Sequence, residues 1–293
     1  MATALNINGQ HPTLNTQDSA AIGSPEPRLL LPDATSTGRR AHGERVEKPL
    51  IICFHGSGQT CSPSWDELAA KLLAGMHCRV LLYDREPGNL RPEDVAAQMW
   101  DYVSRAENPT NENESAQDEG GLNGPYLLIA HSYGALRARI RLVLVETGQE
   151  GGLDPALDEL QIRSTVMGDR PVCVMKGNSF IGKWKELARK EKAMDTPEAQ
   201  TGDIATRRQM LAAERELLLR VDAEDERLKR RQLGLSRNSR FVHVPDCAHH
   251  VVRDRPDEVV AAVRWVLENA QIQEEEMGAW KWTLGRIKAI FGL

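Results

Sequence analysis

The chain contains no run of the roughly 18–20 consecutive apolar residues that a membrane-spanning helix needs. Its opening residues, MATALNINGQHPTLNTQDSA, lack a basic segment followed by an apolar one, so no secretory signal is expected. Positive charge is not in excess. Lys and Arg total 37 against 42 Asp and Glu, for a formal net charge of −5, and no basic stripe interrupts the pattern, which argues against a nucleic-acid partner. Cysteine is sparse and odd in number, with five residues at 53, 61, 78, 173 and 247. That scatter is unlike a disulfide framework, so a reducing, cytoplasmic location is expected. There is no internal repeat. What remains is an ordinary globular composition, 41% apolar and 27% charged over 293 residues, enough for one large domain or two small ones.

Residues 1–27 are polar and aperiodic and read as a flexible arm. Leu29-Leu30-Leu31 is a candidate first strand. Pro49 to Phe54 is a continuous apolar run, the pattern of a strand buried on both faces. Ser62-Pro63 reads as the N-cap and first residue of a helix running through WDELAAKLLAGM. Arg79 to Tyr83 is the next strand, and Pro92 starts a helix through Tyr102. Tyr126 to Ala130, Pro171 to Met175 and Phe241 to Val244 are further strands, and residues 256–270 form a last helix. The charged stretch 177–238 is helical in pattern, with a narrow apolar stripe at Leu211, Leu218, Val221 and Leu228 that packs it on the domain; a lid is the other reading. Buried strands alternating with helices give an α/β fold, a doubly wound, mostly parallel sheet over 28–270.

Three segments carry chemistry. Ala130-His131-Ser132-Tyr133-Gly134 lies at a strand-to-helix junction, with small residues two positions either side of the serine, as a tight nucleophile elbow requires. The other reading of Ser132 is an ordinary helix N-cap. His55-Gly56-Ser57-Gly58 follows another buried strand, and its glycines admit close backbone approach. Backbone N–H groups of Ser57 and Tyr133 could together form an oxyanion hole; a plain glycine turn is the alternative. Cys247-Ala248-His249-His250 follows the last strand, where a histidine can lean towards Ser132 as general base and then general acid. Cys247, His249 and His250 are too tightly spaced for a tetrahedral metal set, and Cys247 reads as a packed thiol.

Together these segments resemble the α/β-hydrolase superfamily from about residue 29 to 270. HGSG is similar to the family's oxyanion loop, Tyr83-Asp84-Arg85 to its strand-end turn, and AHSYG to its elbow. CAHHVVRDRPDEVVAAVRWVL resembles its histidine loop and last helix. The resemblance selects His249 over His250 and implies a serine nucleophile at Ser132. A serine there implies acyl transfer on an ester, thioester, lactone or amide, a small-molecule acyl substrate and no metal or organic cofactor. Ala130 and Ala248 stand where the family usually has glycine.

The family's usual place for the triad acid, after PVCVM, reads Lys176-Gly177-Asn178-Ser179 and holds no carboxylate. A second family location is the end of the preceding strand. Arg141 to Val145 fits it and ends in Glu146, in the family's order of nucleophile, acid, base. Asp169 is a fallback at the wrong end of the sheet, and Asp154 and Asp158 read as solvated charges. Chain length opposes this assignment. A strand of about 5–6 residues spans ~17–20 Å, so a return helix at ~1.5 Å per residue takes about 12 residues, and the round trip takes on the order of 20. Residues 133–145 are fewer. Either the helix after the elbow is truncated, or residues 134–147 form one helix, a strand is missing and Glu146 is carried away from the serine.

The resemblance therefore leads to a serine hydrolase acting through Ser132, His249 and Glu146. Its rival is a non-catalytic binding protein of the same fold with a damaged acid side. Beyond the domain, residues 271–293 form an amphipathic pattern in which Trp280, Leu284, Ile287 and Phe291 recur at helical spacing beside Lys281, Arg286 and Lys288. Docking on its own domain or on a second subunit is the expectation; a bilayer interface is the alternative.

Overall fold

The computed structural model describes residues 27–32, 48–56, 60–76, 78–84, 98–99, 101–103, 125–132, 141–147, 155–196 and 203–270. The expected arm up to residue 26, Asp154, Ser57, Tyr133 and the tail 271–293 lie outside them.

Seven strands form one sheet: β1 (Arg28–Leu30), β2 (Leu50–Phe54), β3 (Arg79–Tyr83), β4 (Tyr126–His131), β5 (Arg141–Val145), β6 (Val172–Lys176) and β7 (Ser239–His243). Their order is β1-β3-β2-β4-β5-β6-β7. Only the β1–β3 pair is antiparallel; every other neighbouring pair is parallel. β2, β3 and β6 are buried at every position, as the apolar runs at 50–54, 80–83 and 172–175 require of strands covered on both faces, and the burial extends to the charged Arg79 and Lys176 at two strand ends.

Side chains alternate between the two faces. Ile51, Cys53, Ile129 and Val143 enter a core shared with the helices at Asp66–Gly75 and 256–270. Leu50, Ile52, Leu128 and Leu144 enter a second core with Met99, Val103 and Leu235.

The sheet runs from β2 through β3 to β1 in one direction and from β4 through to β7 in the other. The direction reverses between β2 and β4, and doubly wound sheets bind ligands at the carboxyl ends of the strands beside such a reversal.

Four expectations change. The first strand is Arg28–Leu30, because β1 takes its register from β3. The first helix starts at Asp66 rather than at Ser62-Pro63. Residues 60–65 are instead folded into a turn in which Thr60 Oγ1 donates to the Ser62 carbonyl at 2.6 Å and Ser62 Oγ to Asp66 Oδ2 at 2.8 Å, around the fully buried Trp65.

The alternative of one helix over 134–147 is excluded. β5 pairs with β4 from Leu127↔Arg141 to His131↔Val145, although only residues 132–140 connect them. The mutual burial of Leu142, Val143, Leu144 and Val145 outweighs their helical spacing.

The charged stretch after β6 contains helices Ile181–Ala193 and Ile204–Arg231. Its apolar stripe is only partly correct. Leu218 is buried but Val221 is exposed, and the buried face continues through Asp225 and Lys229.

Candidate active site

The carboxyl ends of β4 and β5 set Ser132 and Glu146 side by side, and the segment after β7 brings His249 against Glu146. Ser132 follows β4 directly, with φ at 56°. A helix N-cap sits in the extended region, so the N-cap reading of Ser132 fails. A non-glycine residue in the left-handed region is held there by its surroundings, a feature of functional turns. Ser132 N–H donates to the Val145 carbonyl at 3.0 Å, which locks it to the edge of β5.

Gly56, after β2, faces the same residue. A Cβ on Gly56 would lie 2.7 Å from Ser132 Cβ and 3.3 Å from its Oγ. The glycine is therefore required by the close approach of residue 56 to the serine itself. His55 donates from Nδ1 to the Gly56 carbonyl at 2.7 Å, with Nε2 3.4 Å from Asp84 Oδ1 after β3.

Glu146 follows β5, one strand over, also with positive φ at 54°. The register His131↔Val145 makes Ser132 and Glu146 successive neighbours at one sheet edge. Its carboxylate is buried, and Oε2 lies 3.2 Å from His249 Nδ1. Burial pushes the carboxyl up, but His249, Lys229, Ser179 and the Gly177 N–H outweigh it and hold it down at about 2.

Residues 177–179, the usual acid position, supply donors instead. Ser179 Oγ donates to Glu146 Oε2 at 2.6 Å and Gly177 N–H donates to Oε1. The same loop holds the histidine segment, since Asn178 N–H donates to the Cys247 carbonyl at 2.6 Å. A Cβ on Gly177 would come within 2.6 Å of the Ala248 carbonyl.

His249 is about one-third exposed, so its ring has an open side. Its backbone is tied to the elbow: His131 Nε2–H donates to the His249 carbonyl at 2.9 Å, and the two rings lie 4.8 Å apart. A carbonyl only accepts, so His131 is the Nε2–H tautomer. Burial pushes His131 down to about 4, which keeps it a neutral strut beside Ser132. His250 stacks edge-on against His249 at 5.6 Å, while it is His249 that faces Glu146.

Other candidates fall away from this cluster. Asp169 pairs with Arg237 at 2.5 Å on the surface before β6, the opposite sheet end, and Asp158 lies 3.3 Å from Arg231. Cys247 is buried, and burial pushes its thiol up to about 11, unlike an activated nucleophile. Among the described residues, no group of three or more His, Cys, Asp or Glu side chains could hold a metal ion, and no helix is long and apolar enough to cross a membrane.

Sequence reasoning did not find Ser179 as a carboxylate brace, nor Lys176, Asp225 and Lys229 as buried charges. Lys176 and Lys229 are 1% and 0% exposed. The readable signal was spacing: 218, 222, 225 and 229 fall on one helical face.

Three hydrolases are among the solved structures to which the chain is similar. A thermophilic esterase from Thermogutta terrifontis is 17% identical, with 83% of this chain and 93% of that chain covered and a TM-score of 0.42. An enol-lactonase from Burkholderia xenovorans is 15% identical, with 83% and 96% covered and a TM-score of 0.41. A dienelactone hydrolase from Anabaena variabilis is 12% identical, with 85% and 90% covered and a TM-score of 0.43. No curated protein matches the chain. Residues 51–262 match the alpha/beta hydrolase family, a span that runs from β2 through the elbow and Glu146 to the histidine loop and into the last helix. With that match and its seven-stranded, mostly parallel sheet, the chain belongs to the alpha/beta hydrolase family.

Proposed function

We propose that the protein is a serine hydrolase that cleaves a carboxylic ester or related small acyl compound through Ser132, His249 and Glu146. The observation that carries this reading is the buried Glu146 carboxylate 3.2 Å from His249 Nδ1, one strand over from a serine held in a left-handed turn.

The chemistry follows from the two ring nitrogens. Glu146 on Nδ1 fixes the proton there and leaves Nε2 as the base. Ser132 Oγ attacks the acyl carbonyl as His249 Nε2 takes its proton, and the imidazolium returns that proton to the leaving group. Water then attacks the acyl-enzyme by the same route and releases the acid. Glu146 stabilises the imidazolium without itself becoming protonated. The backbone N–H groups of Ser57 and Tyr133 are the proposed oxyanion donors. No cofactor is needed for this sequence. The rival reading, a binding protein with a damaged acid side, loses its main motive, because a buried carboxylate contacts His249 from the neighbouring strand.

Labelling with a fluorophosphonate probe tests the proposal. The wild-type protein should be labelled at Ser132, and Ser132→Ala should abolish the label. Folded wild-type protein that takes no label would return the balance to the binding-protein reading.

A further inference from the structure

The buried face of helix Ile204–Arg231 carries charges that the proposed reaction does not use. Lys229 is fully buried and contacts Asp225 one turn earlier. Its Nζ also lies 3.7 Å from Glu146 Oε2, the same oxygen that faces His249 Nδ1 and accepts from Ser179. Lys176, at the end of β6, is 2.8 Å from Asp222 Oδ1 and 3.9 Å from Asp225 Oδ2. Two buried lysines thus link three carboxylates in one network that ends at Glu146. Burying ions is costly before they are paired, and an apolar replacement is commonly as stable or more so. A helix that only had to cover the sheet would gain nothing from these groups. The rest of the helix puts its ion pairs on the surface, as with Arg227–Glu224 and Arg230–Glu226.

We propose that Lys229 and Asp225 are positioning residues for Glu146. Lys229 holds the carboxylate by charge, and Asp225 neutralises Lys229 so that Glu146 keeps its attraction for the His249 imidazolium. This deepens the Ser132–His249–Glu146 reading and rests on it. A lysine alone beside Glu146 would compete with the imidazolium for the same oxygen. With Asp225 at its other side, the lysine anchors the acid at little cost to the base.

The sign of each substitution follows. Removing Lys229 strengthens the field of Glu146 at His249, so the imidazolium holds its proton to higher pH. Removing the charge of Asp225 leaves Lys229 to offset Glu146, and the proton is lost at lower pH. The other groups facing this point stay constant: His131 on β4, Lys176 on β6, and His250 beside His249. A role limited to packing would move both variants alike or neither.

The experiment is the pH dependence of kcat/KM on p-nitrophenyl acetate, with the His249 ring titrated in parallel by NMR, in full-length protein. Lys229→Met should move the acid limb and the ring midpoint up by about half a pH unit, and Asp225→Asn should move them down by a similar amount. The double variant, a neutral pair in place of an ion pair, should return both to the wild-type position. Midpoints that coincide in all proteins, or that shift with one sign in both single variants, overturn the proposal. Should a single variant fail to fold, the half-buried Asp222→Asn serves in its place. It frees Lys176 to draw Asp225 from Lys229, so it should shift the midpoint down, and no shift or an upward one overturns the proposal. If the wild-type protein neither cleaves the ester nor takes a fluorophosphonate label, the catalytic reading fails, while the NMR midpoints still decide the coupling.

Discussion

The segments that follow β5 and β6 lie side by side at one edge of the sheet and divide a single task. The end of β5 carries the charge: Glu146, buried, with positive φ, against His249. The segment after β6, where the family more often keeps its acid, carries the supports: the Gly177 N–H and Ser179 hydroxyl on the carboxylate, and the Asn178 N–H on the histidine loop. Parallel strands make this exchange possible. Neighbouring carboxyl ends project to the same edge, so a carboxylate moved one strand over still reaches the histidine. The loop it leaves is positioned to hydrogen-bond it. In the proposed triad the acid needs donors as much as the histidine needs the acid, because an unpaired buried carboxylate would take up a proton.

The largest expected effect comes from removing the charge. Glu146→Gln should lower kcat by about 10³–10⁴-fold, as the loss of a triad acid does, and slow fluorophosphonate labelling with it, while the far-UV circular dichroism spectrum persists. Wild-type turnover in that variant would break the division of roles at its charged half.

A smaller loss tests the supporting half. Gly177→Ala forces a Cβ to within 2.6 Å of the Ala248 carbonyl and 2.9 Å of that of Cys247, and both are backbone that must move and take His249 with it. Activity should fall roughly 100-fold and stability by about 1–3 kcal/mol. Gly182→Ala, five residues on and with nothing within 4 Å of the new Cβ, is the matched control. It should leave kcat unchanged and gain up to about 0.5 kcal/mol from helix propensity. Equal responses of the two glycines to urea unfolding and kinetics would show that close approach is not what Gly177 provides.

The smallest expected effect is that of one donor. Glu146 is held at about 2 against an ordinary 4.5. A carboxyl depressed on folding contributes stability that is complete above about pH 4.5 and lost as the pH falls towards 2. Ser179→Ala removes one donor and lets the folded carboxyl rise. It should cost about 1 kcal/mol at pH 7, and the gap between variant and wild type should close as the pH falls through that window. A gap independent of pH would mean that Ser179 acts by packing.

Legibility differed across the fold. The unbroken apolar runs at 50–54, 80–83 and 172–175 announced buried strands, because strands covered on both faces tolerate little else. The segment 141–145 was ambiguous, since Leu142, Val143 and Leu144 suit a helix as well as a strand. Pairing with β4 and β6 resolved it. On helix Ile204–Arg231, counting apolar residues pointed to a stripe through Val221, whereas the buried face runs from Leu218 to Asp225 and Lys229. A hydrophobic count cannot see a buried charge whose partner lies far along the chain. Glu146 and Lys229 meet across more than eighty residues, and no local pattern encodes that contact.

By itself, then, the sequence determined the strand–helix alternation and the order of serine, carboxylate and histidine, since apolar runs and small residues at a tight turn are local requirements of backbone sterics and burial. The tertiary structure alone decided that residues 141–145 are a strand. It placed Gly56 against Ser132, turned the 177–179 segment into a set of donors, and buried two lysines behind the acid. Each of these depends on which chain segments the parallel sheet sets next to one another, and contact across the sheet is fixed by strand order and register rather than by neighbours in sequence.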